Sequence, residues 1–483
     1  MKNKAIHLIL LSSILFSCFC FAQSENNNKN SILKQISIIE NGLIPKVLID
    51  SAGNTYSIEE RMNLYKVPGI SITVFKDDKI LWSKGYGLAD KSKNLKVDSA
   101  TMFQAASISK AITAFALLKL VDKKQLDIDK DVNEYLIGWK IPENDFTKTE
   151  KVTIRRLLNH TAGISVSGFT GYRKTDTIPS TIEIITGKGN TPAIVVEDKP
   201  GAKFSYSGGG YVILQKLIED VSKMDFAGFM EKEILIPLKM TNSTFNQYPK
   251  MNRSLAYNNF GKPYEGGWFI LPELAPAGLW TTSIDLAKFC IAVQQSFIGA
   301  EGAYLAQKMA VEMLTPINNW GLGVGVRGNG DDAFYFHGGK NPGFNSIIID
   351  IFNQNLGIAV MTNGEQGGTL RDEILRSFAQ YYNVKIQPPP RIVKSVPLDR
   401  NYIAEFLGKY QWKENYFLEL SIDKNNNLIL IDLFDGKVNT FVQTENSLFV
   451  DKNNGEEAVL NKNSDTGTLS IFYNNIDTFI KTK

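Results

Sequence analysis

The chain has 483 residues, enough for two to four domains at roughly 100–200 residues each. Its 43% hydrophobic and 21% charged residues are those of an ordinary globular protein with ample material for a core. The formal net charge is only +3, and Lys and Arg are interspersed with Asp and Glu rather than clustered on a basic face, which argues against a nucleic-acid partner.

The first 22 residues read as a signal peptide. Lys2 and Lys4 form a positive start, an apolar stretch follows from Ala5 to Phe21, and Cys20-Phe21-Ala22 sets small residues around a bulky one, as cleavage requires. The expectation is export to the periplasm or beyond. The apolar run is marginal for a membrane span, and an uncleaved anchor is the first alternative. A second is lipidation at Cys18, where Leu15-Phe16-Ser17-Cys18 loosely matches a lipoprotein box and would supply an outer-membrane lipid anchor. Beyond this leader only Cys290 remains, so no intramolecular disulfide is possible. His160 and His337 are the only histidines left, which argues against a metal site. No cofactor is expected.

Residues 23–54 form a polar linking segment. Ile70–Phe75 and Lys79–Ser83 are β-rich runs around Asp77-Asp78, a hairpin signal. Ser107–Val121 is a helix with apolar residues all round, the mark of a buried helix. Lys203 to Gly210 is a Gly-rich loop leading into an amphipathic helix, Tyr211–Val221. Ser283–Gln295 is another helix, with Ser283 as its cap and Asp285 in its first turn. Phe334–Phe336, Ser346–Ile351 and Gly357–Met361 read as adjacent antiparallel strands. Gln387-Pro388-Pro389-Pro390 breaks the pattern, so 387–395 is a Pro-rich linker. The remainder, 396–483, alternates short β-runs with Asn-rich turns and is expected to form a small barrel-like accessory domain.

Ser-x-x-Lys occurs at Ser31/Lys34, Ser107/Lys110 and Ser421/Lys424, against roughly two matches expected by chance. Only Ser107 opens a buried helix. Positions i and i+3 share a helix face, so Lys110 can reach the Ser107 hydroxyl. The helix N-terminus offers free N–H groups and a positive dipole end to a developing oxyanion. The pattern alone equally fits a serine that caps the helix. Tyr206 in the Gly-rich loop and His337-Gly338-Gly339-Lys340 at the end of a β-run shift that balance.

Taken in order, Ser107-Ile108-Ser109-Lys110, Tyr206-Ser207-Gly208 and His337-Gly338-Gly339 resemble the three elements of the β-lactamase-related serine hydrolases: Ser-x-x-Lys, Tyr-x-Asn, and Lys-Thr-Gly or His-x-Gly. That superfamily includes class C β-lactamases, penicillin-binding DD-peptidases, D-aminopeptidases and certain esterases. Val67-Pro68-Gly69, Leu157 to Gly163, Pro276 to Trp280 and Trp320 to Gly323 also look like the family, and the resemblance covers residues 55 to about 380, placing the catalytic domain at 55–386. It implies an α+β fold, an antiparallel sheet flanked by helices plus an all-helical subdomain. It implies Ser107 as nucleophile, with Lys110 and Tyr206 sharing the proton it gives up. It also implies an oxyanion hole from the backbone N–H groups of Ser107 and Lys340. Substrate contacts fall to His337, Gly338, Gly339 and Gly208. The partner is then a small-molecule or peptide substrate.

Two positions depart from the family pattern. Gly208 replaces an asparagine whose amide usually holds the lysine or a substrate carbonyl. His337 replaces a lysine that is a permanent charge for a substrate carboxylate, whereas histidine is mostly neutral at pH 7. Both tilt the expectation toward an esterase, aminopeptidase or other amidase. The alternatives are β-lactamase or penicillin-binding activity, and a non-catalytic relative that binds cell-wall or peptide ligands. His160, in Leu157-Leu158-Asn159-His160-Thr161, is expected to be a structural turn residue rather than a triad histidine.

Overall fold

A computed structural model describes residues 29–50, 53–250, 252–445, 447–474 and 477–482. The expected signal peptide and Cys18 lie outside these residues.

Seven strands form one antiparallel sheet, in the spatial order Leu95–Lys96, Lys79–Asp90, Gly69–Lys76, Leu356–Thr362, Phe344–Ile351, Phe334–Asn341 and Gly325–Arg327. Asp77 and Asp78 both have positive φ, +50° and +61°, as a two-residue hairpin turn of primed type requires. The period of two sorts the side chains. Ile70, Ile72 and Val74 face one side, where a helix over 29–40 and the helices Ile58–Tyr65 and Gly367–Tyr382 cover them. Arg61 and Tyr65 both bond Glu373 there, with Arg61 Nε 2.6 Å from Glu373 Oε2, and so tie two of these helices together. Ser71 and Thr73 face the other side and bond Ser283 Oγ at 2.7 Å each.

Ser283 thus belongs to the core. The cap of its helix, Ser283–Ile298, is Thr282, whose side chain accepts from the N–H of Asp285. A second difference from the sequence reading concerns the Gly-rich stretch. Gly208, Gly209 and Gly210 are the first turn of the helix Gly208–Ser222, not a loop before it. Ser207 caps this helix by accepting from Gly210 N–H at 2.9 Å. A Cβ at Gly209 would lie 2.5 Å from the Ser165 carbonyl, so packing against a neighbouring loop overrides the low helix propensity of glycine.

The chain from Gly408 to Lys481 closes an eight-stranded antiparallel barrel, each strand pairing with the next and the last with the first. Tyr410, Leu418, Leu420, Phe441, Phe449, Ile471 and Phe479 fill its interior, with Ile403 and Phe406 packed in from the preceding segment. Within the proline-rich stretch, Arg391–Val393 forms a parallel pair with Val47–Ile49.

Asp350 is fully buried on the central sheet. Gln294 Nε2 donates to its Oδ1 at 2.6 Å, its other oxygen has no hydrogen-bond partner, and burial pushes its pKa up to about 8. Between about pH 4 and pH 8 the folded protein keeps a proton that the unfolded chain has released. Stability therefore falls as pH rises through that window, by at most about 1.4 kcal/mol per pH unit from this group. Asp350→Asn should raise the melting temperature at pH 8, with the gain shrinking toward zero at pH 4. Melting curves at pH 4, 6 and 8 check this; a gain independent of pH would count against it.

Candidate functional site

Helix Ile108–Asp122 enters the site through a strained turn: Ala106 has φ +49°, a conformation that disfavours a residue with a Cβ by roughly 1–2 kcal/mol. Ser107 follows at the N-cap position with nearly helical angles, φ −62° and ψ −11°, and its side chain makes no capping bond. The hydroxyl is committed elsewhere: Lys110 Nζ donates to Ser107 Oγ at 3.1 Å and to the Pro276 carbonyl at 2.9 Å. Lys110 is 2% exposed and makes no ion pair among the described residues. Pro276 comes from the short helix Leu274–Ala277. Thr113 Oγ1 donates to the Ala275 carbonyl at 3.1 Å, Leu279 N–H to Ser109 Oγ at 3.0 Å, and Ala105 N–H to the Leu279 carbonyl at 2.8 Å. These bonds hold that helix against the Ser107 helix. Pro276 was missed as a site residue, because a backbone acceptor leaves no side-chain signature; its signal was the Pro-Ala-Gly-Leu-Trp stretch.

Tyr206 sits half-buried beside this pair, with Lys110 Nζ 5.0 Å from its ring centre. His160 grips it from both flanks: its carbonyl accepts from Ser205 N–H at 2.8 Å and its Nδ1 from Ser207 N–H at 3.1 Å. The imidazole lies 4.3 Å from the tyrosine ring, centre to centre. His160 itself has φ +59°, as its expected turn role requires. Burial holds its pKa well below the usual histidine range, and the Lys110 charge adds to the effect. Trp320 packs edge-on against the same group, 5.3 Å from His160, 5.7 Å from Tyr206 and 5.5 Å from His337.

Strand Phe334–Asn341 runs along the Ser107 turn. A Cβ at Gly339 would collide with the Ala105 carbonyl, which also accepts from Ser346 Oγ at 2.9 Å, so only glycine lets the strand approach this closely. Gly338 is half-buried, and a Cβ there would find only Arg371 Nη1 and the Ser346 carbonyl, each 3.9 Å away. The Lys340 side chain points outward to Glu365 at 3.1 Å. It stands on a polar groove of about 590 Å³ whose opposite wall includes Lys437, Glu456 and Asn474 of the barrel. His337 is 2% exposed, its ring behind Tyr206 rather than open to the surface, with Nδ1 2.8 Å from the Gly338 carbonyl. At Gly208 the space for a side chain is taken: a Cβ would lie 2.7 Å from Phe169 Cε2 and 3.1 Å from the Ser167 carbonyl.

Ser107, Lys110, Tyr206 and His337 therefore lie together with Gly339 against the Ser107 turn, the Lys340 side chain points away, and Pro276, Trp320 and Phe169 are neighbours that the motifs do not name. The family model described as Beta-lactamase matches residues 57–380. Protein flp of Staphylococcus aureus (strain N315) is 28% identical over 351 residues, which are 68% of this chain and 65% of that protein, so the match spans just under two thirds of the relative's length. Among solved structures, the octameric penicillin-binding protein homologue from Pyrococcus abyssi aligns with TM-score 0.60 and 22% identity, covering 88% of this chain and 98% of its own. A class C β-lactamase aligns with TM-score 0.53 and 20% identity, over 66% of this chain and 94% of its own. Both structural likenesses concern the fold.

Burial, with the Lys110 charge second, lowers the His337 pKa to about 3. Between about pH 6.5 and pH 3 the unfolded chain takes up a proton that the folded one refuses, so stability falls as pH drops through that window. His337→Gln should lose less stability than wild type between pH 7 and pH 4. Denaturant titrations at the two pH values measure it, and equal losses would show that His337 is not the group responsible.

Proposed function

Since the chain belongs to the β-lactamase family of serine hydrolases, as the match over residues 57–380 shows, we propose that it is an exported hydrolase working through an acyl-enzyme on Ser107. The observation that carries this reading is Lys110 Nζ at 3.1 Å from a Ser107 hydroxyl free of any capping duty. Serine needs a base to become a nucleophile, and Lys110 with Tyr206 supplies one. Ser107 Oγ attacks the carbonyl carbon, and its proton passes to the Lys110–Tyr206 pair. The oxyanion is held by the N–H groups of Ser107 and Lys340. When the tetrahedral intermediate collapses, the same proton goes to the departing alcohol or amine. Water then attacks the acyl-enzyme and restores Ser107.

The substrate is an ester or a D-amino-acid or peptide-type amide. His337 supports this choice over a β-lactam: it stands where a cation would grip a carboxylate, yet it is buried and kept neutral. Gly208, filled over by Phe169, offers no amide to a substrate carbonyl.

Labelling with a fluorophosphonate and with a fluorescent penicillin tests the reading. Wild type should label with the fluorophosphonate and Ser107→Ala should not; labelling by penicillin alone would favour a penicillin-binding activity, and labelling by neither would favour a ligand-binding relative. Tyr206→Phe should slow fluorophosphonate labelling by about 10²–10⁴-fold. His160→Ala, which removes the ring beside Tyr206 and the Nδ1 acceptor of Ser207 N–H while keeping the backbone carbonyl that holds Ser205, should slow it by roughly 10–100-fold. Export is tested by sequencing the mature N-terminus: a start near Gln23 supports it, and an intact leader overturns it.

A further inference from the structure

Gly208 follows Tyr206 by two residues, so its Cα lies within about 7 Å of that of the tyrosine. At this point the chain carries no side chain, and the ring of Phe169 takes the space, 2.7 Å from where a Cβ would stand. Phe169 is only half-buried: one part packs on the core while the rest remains open to solvent. Its position is held by the chain just before it. Ser207 Oγ donates to the Ser165 carbonyl at 2.9 Å, Gly209 N–H to the Val166 carbonyl at 2.9 Å and Gly208 N–H to the Ser167 carbonyl at 3.2 Å. Val166, within this run, has φ +64°, a conformation that a β-branched residue avoids. Strain of this kind persists only where the surroundings over-determine it, and it clusters at ligand clamps.

These bonds also consume the local donors. The Ser207 hydroxyl and the N–H groups of Gly208 and Gly209 all point into the loop, and the group beside them is an aromatic ring. The opposite flank of the site differs: Lys340 opens onto the polar groove shared with the barrel. The Gly208 side thus presents carbon, and the Lys340 side presents charged and polar groups.

Resting on the acyl-enzyme reading above, we propose that Phe169 is a specificity-determining wall that selects substrates with an apolar substituent flanking the scissile carbonyl. The class is an ester or amide carrying an aliphatic or aromatic group on the Tyr206 side. The ring contributes contact area and excludes water there, whereas an asparagine at 208 would reward a polar group.

The experiment compares kcat/KM for two ester series in wild type, Phe169→Ala and Phe169→Leu. One series varies the acyl chain from acetate to octanoate on p-nitrophenol, and the other varies the alcohol on an acetate. Fluorophosphonate labelling of each protein reports whether Ser107 remains competent. In wild type the longer member of one series should be preferred. In Phe169→Ala that preference should fall about tenfold, on the scale of a lost pocket contact, with Phe169→Leu between the two. The shortest ester serves as the internal reference, so a general loss of activity does not move the ratio. Unchanged ratios in both series with labelling intact overturn the proposal while leaving the hydrolase reading standing. Wild type that neither labels nor turns over any ester removes the hydrolase reading and this inference with it. If Phe169→Ala does not fold, Phe169→Leu carries the same comparison.

Discussion

The site depends on a buried ammonium. Lys110 is 2% exposed and has no carboxylate partner among the described residues, so its charge rests on the Pro276 carbonyl, the Ser107 hydroxyl and two tyrosine rings 5.0 and 5.7 Å away. An unpaired buried charge is expensive, and it persists only where every remaining contact is a dipole or a π face turned toward it. A carboxylate in the same place would stabilise the charge better and would also hold the lysine's attention. Partnered instead by a neutral hydroxyl and a carbonyl, the lysine keeps its strongest available interaction directed at Ser107.

Much of the surrounding fold follows from that arrangement. The Pro276 carbonyl must be aimed at Lys110, which explains why Thr113, Ser109 and Ala105 all spend hydrogen bonds on the 275–279 segment. The two histidines must stay neutral beside a cation. Burial arranges this for both, and the Lys110 charge reinforces it. His160 is therefore free to act as an acceptor toward Ser207 N–H, which a protonated imidazole cannot do at that nitrogen. The same neutral ring then packs against Tyr206, tilted by 38° to it. Positive φ at Ala106, His160 and Val166 marks the three backbone points where local comfort gives way to these aims.

The sequence made the fold and the residues of the motifs legible because they leave strong local signals. The buried helix after Ser107 is apolar on every face, and the Asp77-Asp78 turn lies between two β-rich runs. What escaped was relational. Pro276 contributes only a carbonyl, and Trp320 reads from its neighbours as a family-like flank, although its ring touches three site residues. Gly208–Gly210 carried the composition of a loop, and tertiary packing against Ser165 made them helix. Thr282 and Ser283 are both plausible caps by residue type; only the sheet, through Ser71 and Thr73, decides that Ser283 turns inward. The Gly208 departure was visible as a lost amide, but its filling by Phe169, 39 positions upstream and fixed by loop geometry, was not.

Gly208 and His337 act in the same direction. Relative to the motifs the chain resembles, each position lacks an amide or a permanently charged side chain, and in each case a ring occupies or adjoins it: Phe169 at the first, Tyr206 and Trp320 at the second. Two cations beside strand Phe334–Asn341 are already matched, Lys340 with Glu365 and Arg371 with Asp372. Exposed pairs of this kind lend little net attraction to a passing anion. On the reading proposed above, Lys110 would polarise Ser107 while Tyr206 shares the proton that Ser107 gives up, and the selectivity of the cleft would fall to shape and apolar contact.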